Sequence, residues 1–380
     1  MERINIQPKF FLWAIERCGK TEDAMKSKFP KIADWLSGKL YPTLKQLEKF
    51  AAATYTPLGY FFLKEPPEDN LPIPDFRTVK GQPERPSPNL LDTVQTMQSR
   101  RGWMREFLLE EGQSPLSFIK SVTLKTEPVK VAMEMRKILP LSDGWANRLY
   151  SWDEALRLLR RVIENAGVMI IINGVVGNNT HRLLDVDEFR GFALVDEYAP
   201  LVFINGRDYI SAKIFTIVHE LSHLWLGYEG VSNFDELQPV KTNVEEFCNK
   251  VAAEFLVPSD EFKKALGENH SENDYALFQI LARRFKVSSL VVARRALDMK
   301  YINKKRFFEF YDNYAKDIKK RKPRGTGGNF WNSQTVRIGE LFGSAVVQAT
   351  LEGRLLYRDA YRLTGLHGKT FDNYVTQLGF

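Results

Sequence analysis

The sequence predicts an α+β fold in which a small sheet lies beside a helix carrying two histidines, with helical units on either side. Three observations predict it. Apolar residues recur at three- and four-residue spacing over both ends of the chain, the pattern of amphipathic helices. The short runs GVMIIING, GFALVD and PLVFING, bounded by Gly, Asn and Asp, read instead as strands of a buried sheet. The segment TIVHELSHLW that follows them returns to an uninterrupted apolar helix.

In chain order, residues 1–65 form a compact helical unit: an amphipathic segment from Pro8 to Arg17, the stretch FPKIADWLSGKLYPTLKQLEKFAAAT, and TPLGYFFL. Gly38 punctuates the middle stretch, and Thr43 is placed to cap a helix carrying Leu44, Leu47 and Phe50. Residues 66–89 are a connector, because KEPPEDNLPIPDFRTVKGQPERPSPN holds seven prolines and supports neither a helix nor a central strand. Residues 90–320 form the central domain. Helical patterning resumes from about Leu90 to Glu111, in PVKVAMEMRKIL and in SWDEALRLLRRVIENAG; the strands follow, then helices from about Ala212 to Leu226, through NVEEFCNKVAAEFL, and through DYALFQILARRFKV and SLVVARRALDM. The basic stretch KKRKPRGTGGN precedes a C-terminal helical unit, residues 328–380.

Composition narrows the class. With 380 residues and 44% hydrophobic content the chain can build more than one core, and no apolar run approaches the roughly 18 residues of a membrane span. The start, MERINIQPKF, lacks an apolar run with a small-residue cleavage site, so the expected location is the cytoplasm. Two distant cysteines, Cys18 and Cys248, exclude a cysteine zinc cluster and read as free thiols, with Cys248 a small buried residue. A net charge of +7 is compatible with a nucleic-acid partner, yet solvated Lys and Arg faces explain such an excess equally well.

The chemistry sits in His219-Glu220-Leu221-Ser222-His223. Histidines four apart lie on one helix face, one turn apart, and can each offer a nitrogen to one zinc ion at about 2.0 to 2.1 Å. Glu220 can then reach a water on that metal as general base without ligating it. An extension of the motif to a third histidine fails, because Leu226 and Glu229 stand where glycine and histidine are required. A carboxylate from the next helix is the alternative: Glu245, Glu246 and Glu254 are available, and Glu245 shares a face with Asn249 four residues on. Glu245 is therefore expected as third ligand, with Asn249 bonding a ligating histidine. Arg207 and Tyr209, just before the helix, are candidates to stabilise an oxyanion, whereas His181, His270 and His367 have no partner at ligand spacing.

FTIVHELSHLWLG followed by EEFCNKVAAEFLVP resembles the ImmA/IrrE metallopeptidases over roughly Val168 to Pro258. The segment KIADWLSGKLYPTLKQLEKFAAATYTPLGYFFL is similar to the Xre-type helix-turn-helix often fused to them, and PIPDFR to a stretch that accompanies it. The resemblance implies a zincin-like (gluzincin-type) domain with zinc, and strands around Gly191 to Asn205 flanking the substrate. It further implies cleavage of a single regulatory protein, a neighbouring helix-turn-helix repressor or antitoxin. The competing reading is a non-catalytic DNA-binding regulator that keeps the zincin fold as a scaffold. Against DNA reading stand Trp35, Leu36, Leu40 and Tyr41, an apolar set suited to packing, with only Lys31 and Lys39 nearby. DAYRLTGLHGKTFDNYV also has helix-turn-helix spacing, but two short helices joined at glycine are a common packing unit.

Overall fold

The computed structural model describes residues 2–74, 85–232, 243–269, 273–320 and 330–380. The second half of PIPDFR, the basic stretch from Arg321 to Asn329 and His270 lie outside the described residues. The chain divides into two compact units, Met1–Pro72 with Val79–Thr96, and Ile73–Thr78 with Met97–Phe380.

In the first unit α1 (Pro8–Arg17), α2 (Glu22–Lys28), α3 (Ile32–Leu36) and α4 (Leu44–Ala53) close around an aromatic core. Phe11, Phe29, Trp35, Phe50 and Phe61 meet there with ring centroids 5.3 to 6.1 Å apart. Thr43 caps α4 reciprocally with Gln46, each side chain accepting a hydrogen bond from the other's backbone N–H. Gly38, at a φ of 71°, keeps α3 and α4 apart. The stretch considered for base contacts thus holds a five-residue helix, and its Ile32 and Trp35 face the core.

The second unit takes α5 (Pro88–Glu110) from Met97 onward, then α6 (Pro128–Ile138), α7 (Trp152–Asn165), β1 (Met169–Asn173), β2 (Val175–Val176), β3 (Asn179–Leu183), β4 (Gly191–Leu194) and β5 (Leu201–Asn205). It continues through α8 (Ile210–Leu226), β6 (Gly230–Ser232), α9 (Asn243–Leu256), α10 (Ser259–Glu268), α11 (Asp274–Phe285), α12 (Ser289–Asp298) and α13 (Lys304–Lys320). It ends with α14 (Phe330–Ile338), α15 (Glu340–Leu351), α16 (Tyr357–Thr364) and α17 (Lys369–Gln377). The architecture is α+β. Among the described residues no helix is long and apolar enough to cross a membrane.

The four-stranded sheet has the order β1-β5-β4-β6, with β1 and β5 parallel and the other pairs antiparallel. Residues of β1, β4 and β5 are buried on both faces, so side chains alternate between two cores. Ile170, Ile172, Ala193, Val202 and Ile204 join the core formed with α7 and α8. On the other face Phe192 stacks on Phe203 at 4.9 Å.

The resemblance implies that strands around Gly191 to Asn205 belong to a substrate-flanking sheet; β4 and β5 lie inside the sheet, and among the described residues its outer strands are β1 and β6. Three residues after α8, β6 pairs along β4 and takes the edge position. Its own outer side is met by the connector: Val231 N–H donates to the Pro74 carbonyl at 3.0 Å, beside buried Ile73.

The C-terminal helices are tied to the same unit by buried charge. Arg100 donates to the carbonyls of Leu363 and Arg337. Glu164, at the end of α7, accepts the N–H groups of Glu340 and Leu341 and so caps α15 from outside. Burial raises the Glu164 carboxyl to about 7, against the opposing pull of Arg160 and those two N–H groups. A folded-state value above the ordinary 4.5 means that its contribution to stability is full below 4.5 and declines as pH rises through about 7. Glu164→Gln keeps an acceptor for both N–H groups without the buried charge. Its melting temperature relative to the native chain is therefore expected to rise by a few degrees between about pH 5 and about pH 8, as thermal unfolding would measure.

Candidate metal centre

The site is built on α8 and α9. Helix α8 presents Ile214, Ile217, Val218, Leu221, Leu224 and Trp225 to the core, all buried. It stops where Gly227 turns left-handed at a φ of 77°, its N–H returning to the His223 carbonyl. Two of its last carbonyls, on Leu224 and Trp225, accept the N–H groups of Lys120 and Val122. Phe118 stacks on Trp225 at 4.4 Å. Helix α9 lies against α8 and is anchored at its far end, where Arg295 pairs with Glu254 and donates to the Val257 carbonyl. Both helices therefore hold their side chains in fixed rotation relative to each other.

That rotation gathers the residues picked from the sequence. His219 Nε2 and His223 Nε2 stand 3.0 Å apart. Glu245 brings Oε2 to 3.2 Å from the first and Oε1 to 3.2 Å from the second. Asn249 Oδ1 lies 3.0 Å from His219 Nδ1. Because an amide oxygen only accepts, the proton sits on Nδ1 and the lone pair of Nε2 points into the site. Burial, against the charge of Glu245, lowers His219 to about 4, so its ring is neutral at neutral pH. Glu220 is fully buried one residue from His219.

The donor set fits a divalent metal. Bonds of about 2.0 to 2.1 Å at tetrahedral angles require donor atoms about 3.3 Å apart; the two Nε2 atoms stand 3.0 Å apart, and each has its own Glu245 oxygen at 3.2 Å. Glu246 and Glu254 are engaged elsewhere, with Lys250 and with Arg295. Arg207 and Tyr209 are not brought to the histidines: both are exposed at the start of α8, and Tyr209 is ten residues, about 15 Å of helix, from His219. His181 and His367 are exposed, unlike the buried histidines of this centre. Glu229 is structural, accepting from Arg101 and from the Val195 N–H.

Residues 163–297 match the family model of the M78 peptidases, described as the IrrE N-terminal-like domain. The match supports a peptidase of the ImmA/IrrE family. It runs from the end of α7 through α12 and encloses every residue of the centre. Residues 338–377, from the end of α14 through α17, match the model of a domain of unknown function. No curated protein matches the chain.

Two residues of this M78 region escape sequence reasoning. Gly191 starts β4 directly over α8: a Cβ there would meet Thr216 Cγ2 at 2.8 Å, the Phe203 carbonyl at 2.9 Å and Glu220 Cγ at 3.3 Å. Its only signal in the sequence is a glycine heading an apolar run. Gly191→Ala is expected to destabilise the chain by about 1–3 kcal/mol, read from the midpoint of denaturant unfolding, because one of the crowded atoms is backbone. The second is Cys248, a free and fully buried thiol. Its Sγ and one ring nitrogen from each of His219 and His223 all lie within 4.8 Å of one another. Burial, then the charges of Glu245 and Glu220, pushes this thiol well above its ordinary value.

Proposed function

We propose that the chain is a zinc-dependent endopeptidase of zincin-like, gluzincin type that cleaves a regulatory protein, a helix-turn-helix repressor of the Xre type or an antitoxin, in the cytoplasm. The observation that carries the reading is the convergence of His219, His223 and Glu245 at donor spacing with Glu220 on the same helix, inside the region that matches the M78 peptidases.

When bound, zinc supplies a Lewis acid that polarises the scissile carbonyl and acidifies the attacking water. His219, His223 and Glu245 would hold it, and Asn249 keeps the His219 proton on Nδ1 so that the Nε2 lone pair stays available. Glu220 takes the proton from the attacking water and returns it to the leaving amine. The rigid seating of α8 and α9 keeps base and ligands in register. A single protein substrate follows from the family resemblance, and the apolar packing of Ile32 and Trp35 favours a docking role for the first unit over base reading.

The test is co-incubation of the full-length chain, supplied with zinc, with a helix-turn-helix protein encoded beside it, followed by mass mapping of fragments. A defined cut that requires Glu220 is expected. An intact partner after prolonged incubation with zinc-loaded chain would remove the repressor from the reading.

A further inference from the structure

The three donors of the centre leave one position of a tetrahedral metal to fill, and the chain holds a fourth donor beside it. Helix geometry explains why. Glu245 and Asn249 lie on one stripe of α9, and Cys248, three residues after the first and one before the second, projects from the flank of that stripe. The thiol is enclosed between α8 and α9, in no disulfide. Zinc with nitrogen bonds of about 2.0–2.1 Å and a sulfur bond of about 2.3 Å needs nitrogen and sulfur about 3.6 Å apart. Cys248 Sγ lies within 4.8 Å of a ring nitrogen of each histidine, and rotation about the single side-chain torsion of cysteine moves the sulfur by more than the roughly 1 Å that separates the two values.

We propose that in the resting protein Cys248 occupies the fourth position on the metal, closing the centre to water until the thiolate withdraws. The inference rests on the proposed metal site and adds to it a latent state. Zinc sites with four protein ligands are structural and closed, whereas catalytic ones keep one position open. A thiolate at that position would convert the second kind into the first. The exchange balances simply: the Cys248 thiol gives its proton to solvent as the sulfur–metal bond forms, and recovers one when water takes the place of sulfur. The donor set with sulfur selects soft, thiophilic divalent ions, zinc and cadmium, over magnesium and manganese. Cys18 lies in the other compact unit, where its Sγ bonds the Ile15 carbonyl, and is not part of the centre.

Cobalt(II) substitution of the full-length protein reads this directly, because a thiolate ligand adds an intense near-ultraviolet charge-transfer band that nitrogen and oxygen ligands do not give. Metal-free native chain titrated with cobalt is expected to gain the band in step with metal uptake, and a Cys18→Ala chain to do the same. Cys248→Ala and Cys248→Ser are expected to bind cobalt with the band lost. Native chain that binds cobalt without the band overturns the proposal and leaves the metal site standing. So does a band that survives in Cys248→Ser. Native chain that takes up no cobalt overturns both. The native spectrum alone decides the matter should either variant fail to fold.

Discussion

Glu220→Gln is expected to bind metal as the native chain does and to cleave its substrate about 10²–10⁴-fold more slowly, the usual worth of a positioned general base. The two outcomes separate because Glu220 is not among the donors that meet at 3.0 to 3.2 Å: those are the two imidazoles and Glu245. Gln has the same length and fits the same buried position beside Gly191, so packing of β4 on α8 is kept while the proton acceptor is lost. Single-turnover cleavage together with metal content would measure both. A variant that cleaves at the native rate would take the base role away from Glu220; one that loses its metal would move Glu220 into the ligand set.

His219→Ala carries the larger effect on metal. His219 is the residue through which the centre is ordered: it donates Nδ1–H to Asn249 and sets Nε2 against both His223 and Glu245. Loss of a partner outside the ligand set costs roughly 10–100-fold in metal affinity, so loss of the ligand itself is expected to cost more than about 100-fold. Competition titration against a chromophoric chelator measures it. Asn249→Ala, which leaves all donors in place but frees the ring to choose its tautomer, is expected to fall within that 10–100-fold range. Equal affinities for native chain and His219→Ala would place the metal elsewhere.

The grouping of the candidate ligands was legible in the sequence because it rests on helix periodicity. Four-residue spacing puts His219 with His223 and Glu245 with Asn249 whatever else the fold does, and the apolar stripe of α8 announces a buried helix. The stop signals were equally local: Gly227 ends α8, and α9 stops at Leu256, two residues before Pro258. Tertiary relations were not legible. That Cys248 approaches the histidines depends on the rotation of α9 against α8, which no spacing within either helix fixes. Strand β6 has three residues, too few for an alternation to register, so the strand that borders β4 was not read from the sequence. Gly191 looks like any turn glycine until the strand it starts is laid over Glu220. Arg207 and Tyr209 were close in sequence to the motif, but α8 is long enough to carry them away from it.

The most direct test of a metal-dependent peptidase is cleavage of its protein substrate by the full-length chain before chelation, after complete removal of metal, and after return of about one equivalent of zinc. Cleavage that disappears with the metal and returns with it is predicted. Cleavage that continues undiminished in the metal-free chain would contradict the assignment of His219, His223 and Glu245 as the centre of the reaction.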